Sequence, residues 1–280
     1  FNPPNMKIIA RNCSAFLEIA GILRRYKELT FTMARREVAD RYVGQALGIA
    51  WAVAHPLFLI GIYIFIFAFV FKIKLGNTVD LPLDYTTYIL SGLVPWLAMQ
   101  ESLVKSCTVI TSSSSLVKQV VFPLEVLPAK SVLASLLPLV ASFALLFIYV
   151  IATTGGLWQT YALLPLLFLC QVLLMLGLAF VLSTIGAYFR DLKDIMQLFA
   201  VLGIYLLPIF YLPTMVPKLF QPLIYANPFS YMIWCYQDVI YFGKITHPIA
   251  WVVFPLTSLA MLISGYRVFR KLRGTLAGVV

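Results

Sequence analysis

The chain has 280 residues, of which 61% are hydrophobic and 11% are charged; its mean hydropathy is +0.92 and its formal net charge is +10 at pH 7. A soluble domain carries roughly 25% charged residues, so the composition excludes an ordinary soluble protein. The apolar runs are continuous rather than alternating, which predicts an all-α integral membrane protein. In such a protein a positive charge reports topology and lipid contact before nucleic-acid binding, and no nucleic-acid partner is expected.

An amphipathic segment, residues 16–42, comes first. Its apolar residues fall on one helical face, and basic residues cover much of the remainder. A basic amphipathic helix with aromatic residues is typical of a segment that lies in the membrane interface; an ordinary solvated helix is the alternative. The apolar face comprises Ile19, Ile22, Leu23, Tyr26 and Met33, and the basic residues are Arg24, Arg25, Lys27, Arg35, Arg36 and Arg41.

Six membrane spans are predicted from the uncharged runs that follow, because a helix needs about 20 apolar residues to cross a bilayer. The turn-like segment 153–156 divides the longest run into two spans. The chain thus consists of an N-terminal cytoplasmic segment, 1–48, and a six-span transmembrane domain, 49–280. The predicted spans are 49–71, 85–110, 131–151, 161–188, 195–212 and 249–266.

The loop between the second and third spans, residues 112–130, is the most distinctive stretch. Apolar residues recur there at helical spacing and predict a short helix with one apolar face, and prolines limit its length. A stiff, half-apolar element at the membrane surface is suited to docking on a partner; a helix resting on lipid headgroups is the alternative. The apolar residues are Val117, Val120, Val121 and Leu124, and the prolines are Pro123 and Pro128.

A second unusual segment, residues 211–243, is apolar but rich in proline. It divides at Asn227 and Pro228 into two pieces of about a dozen residues, each too short to cross a bilayer alone. We predict a re-entrant pair of short helices between spans five and six; a single broken span is the alternative. Because Lys and Arg concentrate before span one, in the loops 112–130 and 190–194, and at the C-terminus, we predict that both termini are cytoplasmic and that 211–243 is external.

Two charged residues, Glu101 and Lys105, lie four positions apart within the second predicted span. Charges in a span are costly unless they are paired or face water, and this spacing allows an ion pair on one helical face. The pair is predicted either to line a conduit or to bridge helices, and the sequence favours neither.

Sequence motifs for catalysis and metal binding are missing. The sequence contains no GxxxxGK[ST] loop for phosphate, no HExxH, no Gly-rich dinucleotide fingerprint and no GxSxG. The two histidines, His55 and His247, are too few for a metal cluster, and the cysteines show no CxxC spacing. We therefore predict a chain that is not an enzyme and that binds no metal or cofactor.

Four short segments share a pattern with a known family: 35–37 with 41–42, 47–48, 51 and 56–57; then 121–128; then 190–194; and Asn227 with Pro228. Together with the six-span layout, they resemble the membrane subunit of type-2 ABC exporters, in particular the branch that exports bacterial O-antigen, capsule or teichoic-acid polymers. The chain departs from the family pattern at Gln237 and Asp238, where an arginine is expected.

The resemblance implies a homodimer with a central conduit in the bacterial inner membrane, surrounded by membrane lipids, with a lipid-linked glycan as substrate. It also implies a separate P-loop ATPase beneath each copy, so that ATP and Mg would be bound by two partner subunits. The loop 112–130 would be the coupling helix, 16–42 the interface helix and 211–243 an external gate. The implied residues are Val121, Phe122, Pro123, Leu124 and Glu125 for coupling; Arg35, Arg36, Glu37 and Arg41 on the interface helix; Arg190, Asp191, Lys193 and Asp194 in a cytoplasmic loop; and Pro213, Asn227 and Pro228 at the gate, with Glu101 and Lys105 as conduit candidates.

Three functions therefore compete. The first is export of a lipid-linked polysaccharide, and the second is export of a drug or another lipid by the same architecture. The third is a membrane-embedded transferase, which would need acidic or His residues at a membrane face. The predicted external side offers only Asp80, Asp84, Asp238 and His247, and their spacing matches no recognisable catalytic pattern.

Overall fold

A computed structural model describes residues 17–71, 83–118 and 122–279. These residues form helices joined by short turns, and no strand occurs among them, which confirms the predicted all-α class. The helices are α1 (17–25), α2 (Lys27–Asp40), α3 (Trp51–Ile64, continued as a π-helix over Phe65–Phe71), α4 (Tyr85–Thr108), α5 (Ser114–Val117), α6 (Val126–Thr154), α7 (Leu164–Tyr188), α8 (Leu192–Leu206), α9 (Gln221–Ala226), α10 (Pro228–Gln237, continued as a π-helix over Asp238–Phe242) and α11 (Ala250–Val279).

Among the described residues, four helical segments are long and apolar enough to cross a membrane, so the protein is a multi-pass membrane protein. They coincide with the first, third, fourth and sixth predicted spans. The second predicted span corresponds to α4, which has 24 residues but carries the charged residues Glu101 and Lys105 and is not among the four segments. The four segments are Gly48–Val70, Val126–Thr154, Gln159–Tyr188 and Ala250–Leu276.

The fifth predicted span, 195–212, is wrong in its bounds. The helix α8 has 15 residues and ends at Leu206, because Leu207 precedes Pro208 and takes an extended conformation with ψ of 153°. At about 1.5 Å per residue, 15 residues reach roughly 22 Å, less than the ~30 Å of a bilayer core.

The helix α4 lies at the centre of the bundle, where it contacts α6, α7, α8 and α10. Every side chain from Thr86 to Trp96 is buried. Beside it, α7 and α11 cross closely at two glycines. A Cβ atom at Gly177 would lie 2.4 Å from the Met261 carbonyl carbon, and one at Gly265 would lie 2.2 Å from the Gly177 carbonyl oxygen. Only glycine permits the two backbones to approach this closely.

The interface segment is two helices rather than the single one predicted. The chain leaves the helical conformation at Tyr26 (φ −105°, ψ 23°) between α1 and α2. Backbone hydrogen bonds continue through this point, since Tyr26 N–H donates to Ile22 and Thr30 N–H donates to Tyr26. The predicted apolar face packs inward, with Ile19 buried and Met33 partly buried against the core, and α2 contacts α6.

Before Lys118, the loop 112–130 contains the end of a 3₁₀ turn, Thr111–Ser113, and the four-residue helix α5. Val120 and Val121, on the predicted apolar face, lie outside the described residues. The prediction that Pro128 limits the loop helix is wrong, because Pro128 lies in the first turn of α6. A proline is accommodated there since the first-turn N–H groups have no acceptor within the helix.

The segment 211–243 divides at Asn227, as predicted, but its two parts are unequal. The first contains the six-residue helix α9 instead of about a dozen helical residues, while α10 and its π-helical continuation cover 228–242. The Asn227 side chain accepts a hydrogen bond from Phe229 N–H at 3.0 Å and caps α10. The helix α10 is buried against α4, α7 and α11.

Candidate functional site

Ion pairs join α1, α2, the loop 112–130 and the C-terminal part of α11 at one end of the bundle. We call this set the ion-pair belt. The belt ties elements that are far apart in sequence to the two helices that flank the loop, α4 and α6. Its members are Glu18 with Arg270, Glu37 with Lys130, Glu125 with Arg273, and Glu101 with both Arg41 and Lys105.

In the belt, Glu101 Oε1 accepts from two cations at once. Lys105 Nζ lies 2.7 Å away, which confirms that the two residues within α4 are paired, and Arg41 reaches the same oxygen at 2.8 Å. Arg41 was predicted only as an interface-helix residue; no local pattern indicated its contact with Glu101. All three side chains also line a cavity, so bridging helices and lining an internal space are compatible roles.

A second belt contact fixes the interface helix to the start of α6. Lys130 Nζ lies 3.3 Å from Glu37 Oε2 and also 3.3 Å from Ser113 Oγ. Glu37 therefore faces inward, whereas Arg35 and Arg36 are exposed. The described residues offer no ion-pair partner to either arginine, which leaves both guanidinium groups available to lipid or a partner protein.

Glu125 lies in an unexpected place for a docking residue. Its side chain is 4% exposed and accepts from Arg273 Nη1–H at 2.7 Å. A buried carboxylate is costly unless a cation and hydrogen bonds satisfy it, and the C-terminal helix supplies that partner. Glu125 therefore anchors the loop instead of presenting its carboxylate on the surface.

The three residues that precede Glu125 are only partly buried. Phe122 and Leu124 are partly exposed, and with Pro123 they line a groove of about 760 Å³ that α1 and α11 complete. Val121 lies outside the described residues. The other predicted loop is shorter than predicted, because Arg190 and Asp191 lie between α7 and α8 whereas Lys193 and Asp194 lie in the first turn of α8. All four side chains are exposed, and none of them is ion-paired within the described parts of the chain.

At the opposite end of α4, the departure at Gln237 and Asp238 has a local explanation. Asp238 is wholly buried; its Oδ2 accepts from His247 N–H and from Trp251 Nε1–H, each at 3.0 Å, and its Oδ1 lies 2.8 Å from His247 Nδ1. Gln237 donates to the Pro208 carbonyl at 2.8 Å. The Asp238 contacts hold the end of α10 to the start of α11, and the Gln237 contact holds it to the segment after α8. Sequence patterns did not predict these contacts.

The predicted gate residues do not form one cluster of contacts. Asn227 and Pro228 begin α10, whereas Pro213 starts a short 3₁₀ turn, Pro213–Met215. Gln221 Nε2 lies 3.5 Å from the Pro213 carbonyl and 3.0 Å from that of Val216, which folds this turn back on α9. Across residues 17–71, 83–118 and 122–279, no three His, Cys, Asp or Glu side chains are grouped to hold a metal ion.

Comparison with known proteins places this arrangement in context. The family model described as "ABC-2 type transporter" matches residues 28–241. An O-antigen export system permease protein of Klebsiella pneumoniae is 28% identical over 255 residues, which cover 90% of this chain and 95% of the relative. A second from Klebsiella pneumoniae is 27% identical and one from Myxococcus xanthus is 26% identical, with the same coverage of both chains.

Proposed function

This chain belongs to the ABC-2 type transporter family, and from that membership we propose that it is the membrane subunit of an ATP-driven exporter of a lipid-linked polysaccharide. The observation that carries the proposal is the near full-length similarity to permeases of O-antigen export systems. Such a permease provides the path, while ATP and Mg are bound by a separate subunit. The absence of a phosphate-binding loop from the sequence supports this division of labour.

The proposed topology has six spans in the bacterial inner membrane, with both termini cytoplasmic. The ion-pair belt then lies on the cytoplasmic side, and the segment 211–243 forms a re-entrant pair on the external side. The bias of Lys and Arg toward the ends and the loops 112–130 and 190–194 supports this orientation. The burial of α10 inside the bundle supports a helix that enters without crossing.

The proposed assembly is a homodimer with one ATPase beneath each copy. Two features of α8 support a second copy. The helix is short for a span, and among its residues only Ala200 and Gly203 are buried. A partner helix packed along this face would cover it and complete a wall of the central conduit.

Coupling to the ATPase is proposed to run through the loop 112–130 and the interface helix. A nucleotide-driven motion can bias two membrane states only through contacts that differ between them. Phe122 and Leu124 offer an apolar contact, and the exposed Arg35 and Arg36 offer charge. The belt would transmit the motion, since Glu125 joins the loop to α11 and Glu37 joins the interface helix to α6.

The experiment that tests the proposal is co-purification from the native host followed by export measurement. The tagged chain should capture a P-loop ATPase in equal stoichiometry. Deletion of the gene for this chain should abolish a surface glycan, and the intact gene should restore it. Capture of the ATPase without any glycan phenotype would instead support a drug or lipid exporter. Full glycan export without this chain would overturn the proposal.

A further inference from the structure

A cavity of about 460 Å³ lies between α3, α4, α6 and α8, within the size range of small-molecule sites. Its walls are mostly apolar, and its polar side chains lie mainly on α4 and at the end of the interface segment. Its charged, imidazole and amide side chains are Arg41, Glu101, Lys105, His55, Gln100 and Gln197. The cavity therefore has the two-part character of a lipid with a polar head.

The charges in this cavity do not balance. Arg41 and Lys105 both contact the single Glu101 Oε1, so two cations share one carboxylate. A guanidinium group has five N–H donors and an ammonium group has three, and donors therefore remain available after the Glu101 contacts are made. Lys105 is only 14% exposed, and a cation removed from water in this way is stabilised by an anion.

The apolar walls and the two cations set different requirements for a ligand. A ligand with a phosphate for Arg41 and Lys105 and an apolar chain for the surrounding walls would satisfy both.

We propose that this cavity binds the phosphorylated head of the lipid-linked glycan, with Arg41 and Lys105 contacting phosphate oxygens. Glu101 is a positioning residue that holds both cations in place while the site is empty. The apolar walls exclude a free anion as the preferred ligand, because Ala52, Leu59 and Leu139 would gain nothing from it. This inference rests on the proposed function for its substrate and adds the site at which export begins.

The experiment uses the full chain in phosphatidylcholine nanodiscs, without the ATPase. Farnesyl diphosphate and farnesol serve as probes in isothermal titration calorimetry. Wild-type chain should bind farnesyl diphosphate at least about tenfold more tightly than farnesol, since charge-assisted hydrogen bonds contribute at least that factor. This comparison needs no variant, so a folding defect cannot obscure it.

Three substitutions separate a phosphate site from a purely structural ion pair. Arg41→Gln and Lys105→Gln should each weaken farnesyl diphosphate binding about tenfold, whereas Glu101→Gln should preserve or strengthen it by removing the competing carboxylate. Arg190→Gln, in an exposed loop, is the matched control and should change nothing. A loss in Glu101→Gln equal to that of the two cation variants would overturn the proposal.

Competition distinguishes the sources of phosphate. If inorganic diphosphate competes for the site as strongly as farnesyl diphosphate itself, the cavity is a site for soluble anions. If phosphatidylglycerol competes as strongly, the cavity is a site for bulk lipid. Either result overturns the substrate assignment, as does equal binding of farnesol. The binding measurement involves no ATPase. A negative result would therefore overturn this site without changing the result of the co-purification and glycan-export experiment, which tests the proposed function separately.

Discussion

At the residue scale, Glu125 illustrates how burial alters the meaning of a charged side chain. In the sequence it is the single acidic residue of the loop 112–130 and suggests an acidic contact for a partner. In the structure its carboxylate faces Arg273 at 2.7 Å inside the protein. A substitution of Glu125 would therefore act by shifting the loop, and its effect would depend on the side chain at position 273.

Charge exchange at this pair is the corresponding prediction. Glu125→Lys should place a buried cation opposite Arg273, lower the thermal midpoint and reduce ATPase capture; breaking a buried pair costs about 3–5 kcal/mol, less here because Arg273 is half exposed. The double variant Glu125→Lys with Arg273→Glu should recover much of the lost thermal midpoint and much of the lost ATPase capture. Lys193→Glu, in the exposed first turn of α8, is the control. Additive losses in the double variant would mean that the two residues act independently.

Phe122 is predicted to act on the partner directly. It is partly exposed beside the groove that α1 and α11 complete, and large aromatic residues at the centre of an interface often contribute ~2 kcal/mol or more. Phe122→Ala should therefore weaken ATPase capture and lower export more than ATP turnover, with little change in thermal stability. Phe58→Ala, on the exposed face of α3, removes a similar ring elsewhere. Normal export in Phe122→Ala would argue for the lipid-surface alternative.

At the element scale, the crossing of α7 and α11 depends on the absence of two side chains. Gly177→Ala should force the helices apart, because the new methyl group would meet the Met261 backbone at 2.4 Å; overpacking of this kind costs about 1–3 kcal/mol. Gly61→Ala is the matched control on α3, where nothing lies within 4 Å, and it should be neutral or slightly stabilising. Thermal denaturation in detergent distinguishes the two. Equal midpoints for both variants would contradict the close crossing.

Elements were more predictable from the sequence than their partners were. Helical periodicity indicates which face is apolar, and a proline after Asn227 indicates where a helix begins, because both are local effects. The meeting of Arg41 with Glu101 spans 60 positions, and that of Arg273 with Glu125 spans 148. Neither contact has a local signature, since a charge pattern predicts that a side chain needs a partner without specifying which. The cavity beside Glu101 is lined by residues from distant parts of the chain, so the sequence did not predict it either.

At the scale of the whole molecule, topology determines what each end of the bundle can do. If both termini are cytoplasmic, the ion-pair belt faces the ATPase and the segment 211–243 faces outward. Lys218 and Lys244 flank most of that segment and are both exposed. They would lie on the same side of the membrane if 211–243 is re-entrant, and on opposite sides if it is a broken span.

Single cysteines therefore test the topology. With Cys13, Cys107, Cys170 and Cys235 replaced, Lys218→Cys and Lys244→Cys should both react with an impermeant maleimide in intact spheroplasts. Lys193→Cys, in the exposed first turn of α8, should react only after the membrane is permeabilised, and it verifies that the reagent stays outside. Labelling at only one of the two external positions would make the number of crossings odd and place the basic C-terminus outside. That outcome would move the C-terminal part of α11 away from the loop that Glu125 anchors, in conflict with the Arg273 contact, so the ion-pair belt and the labelling pattern must agree.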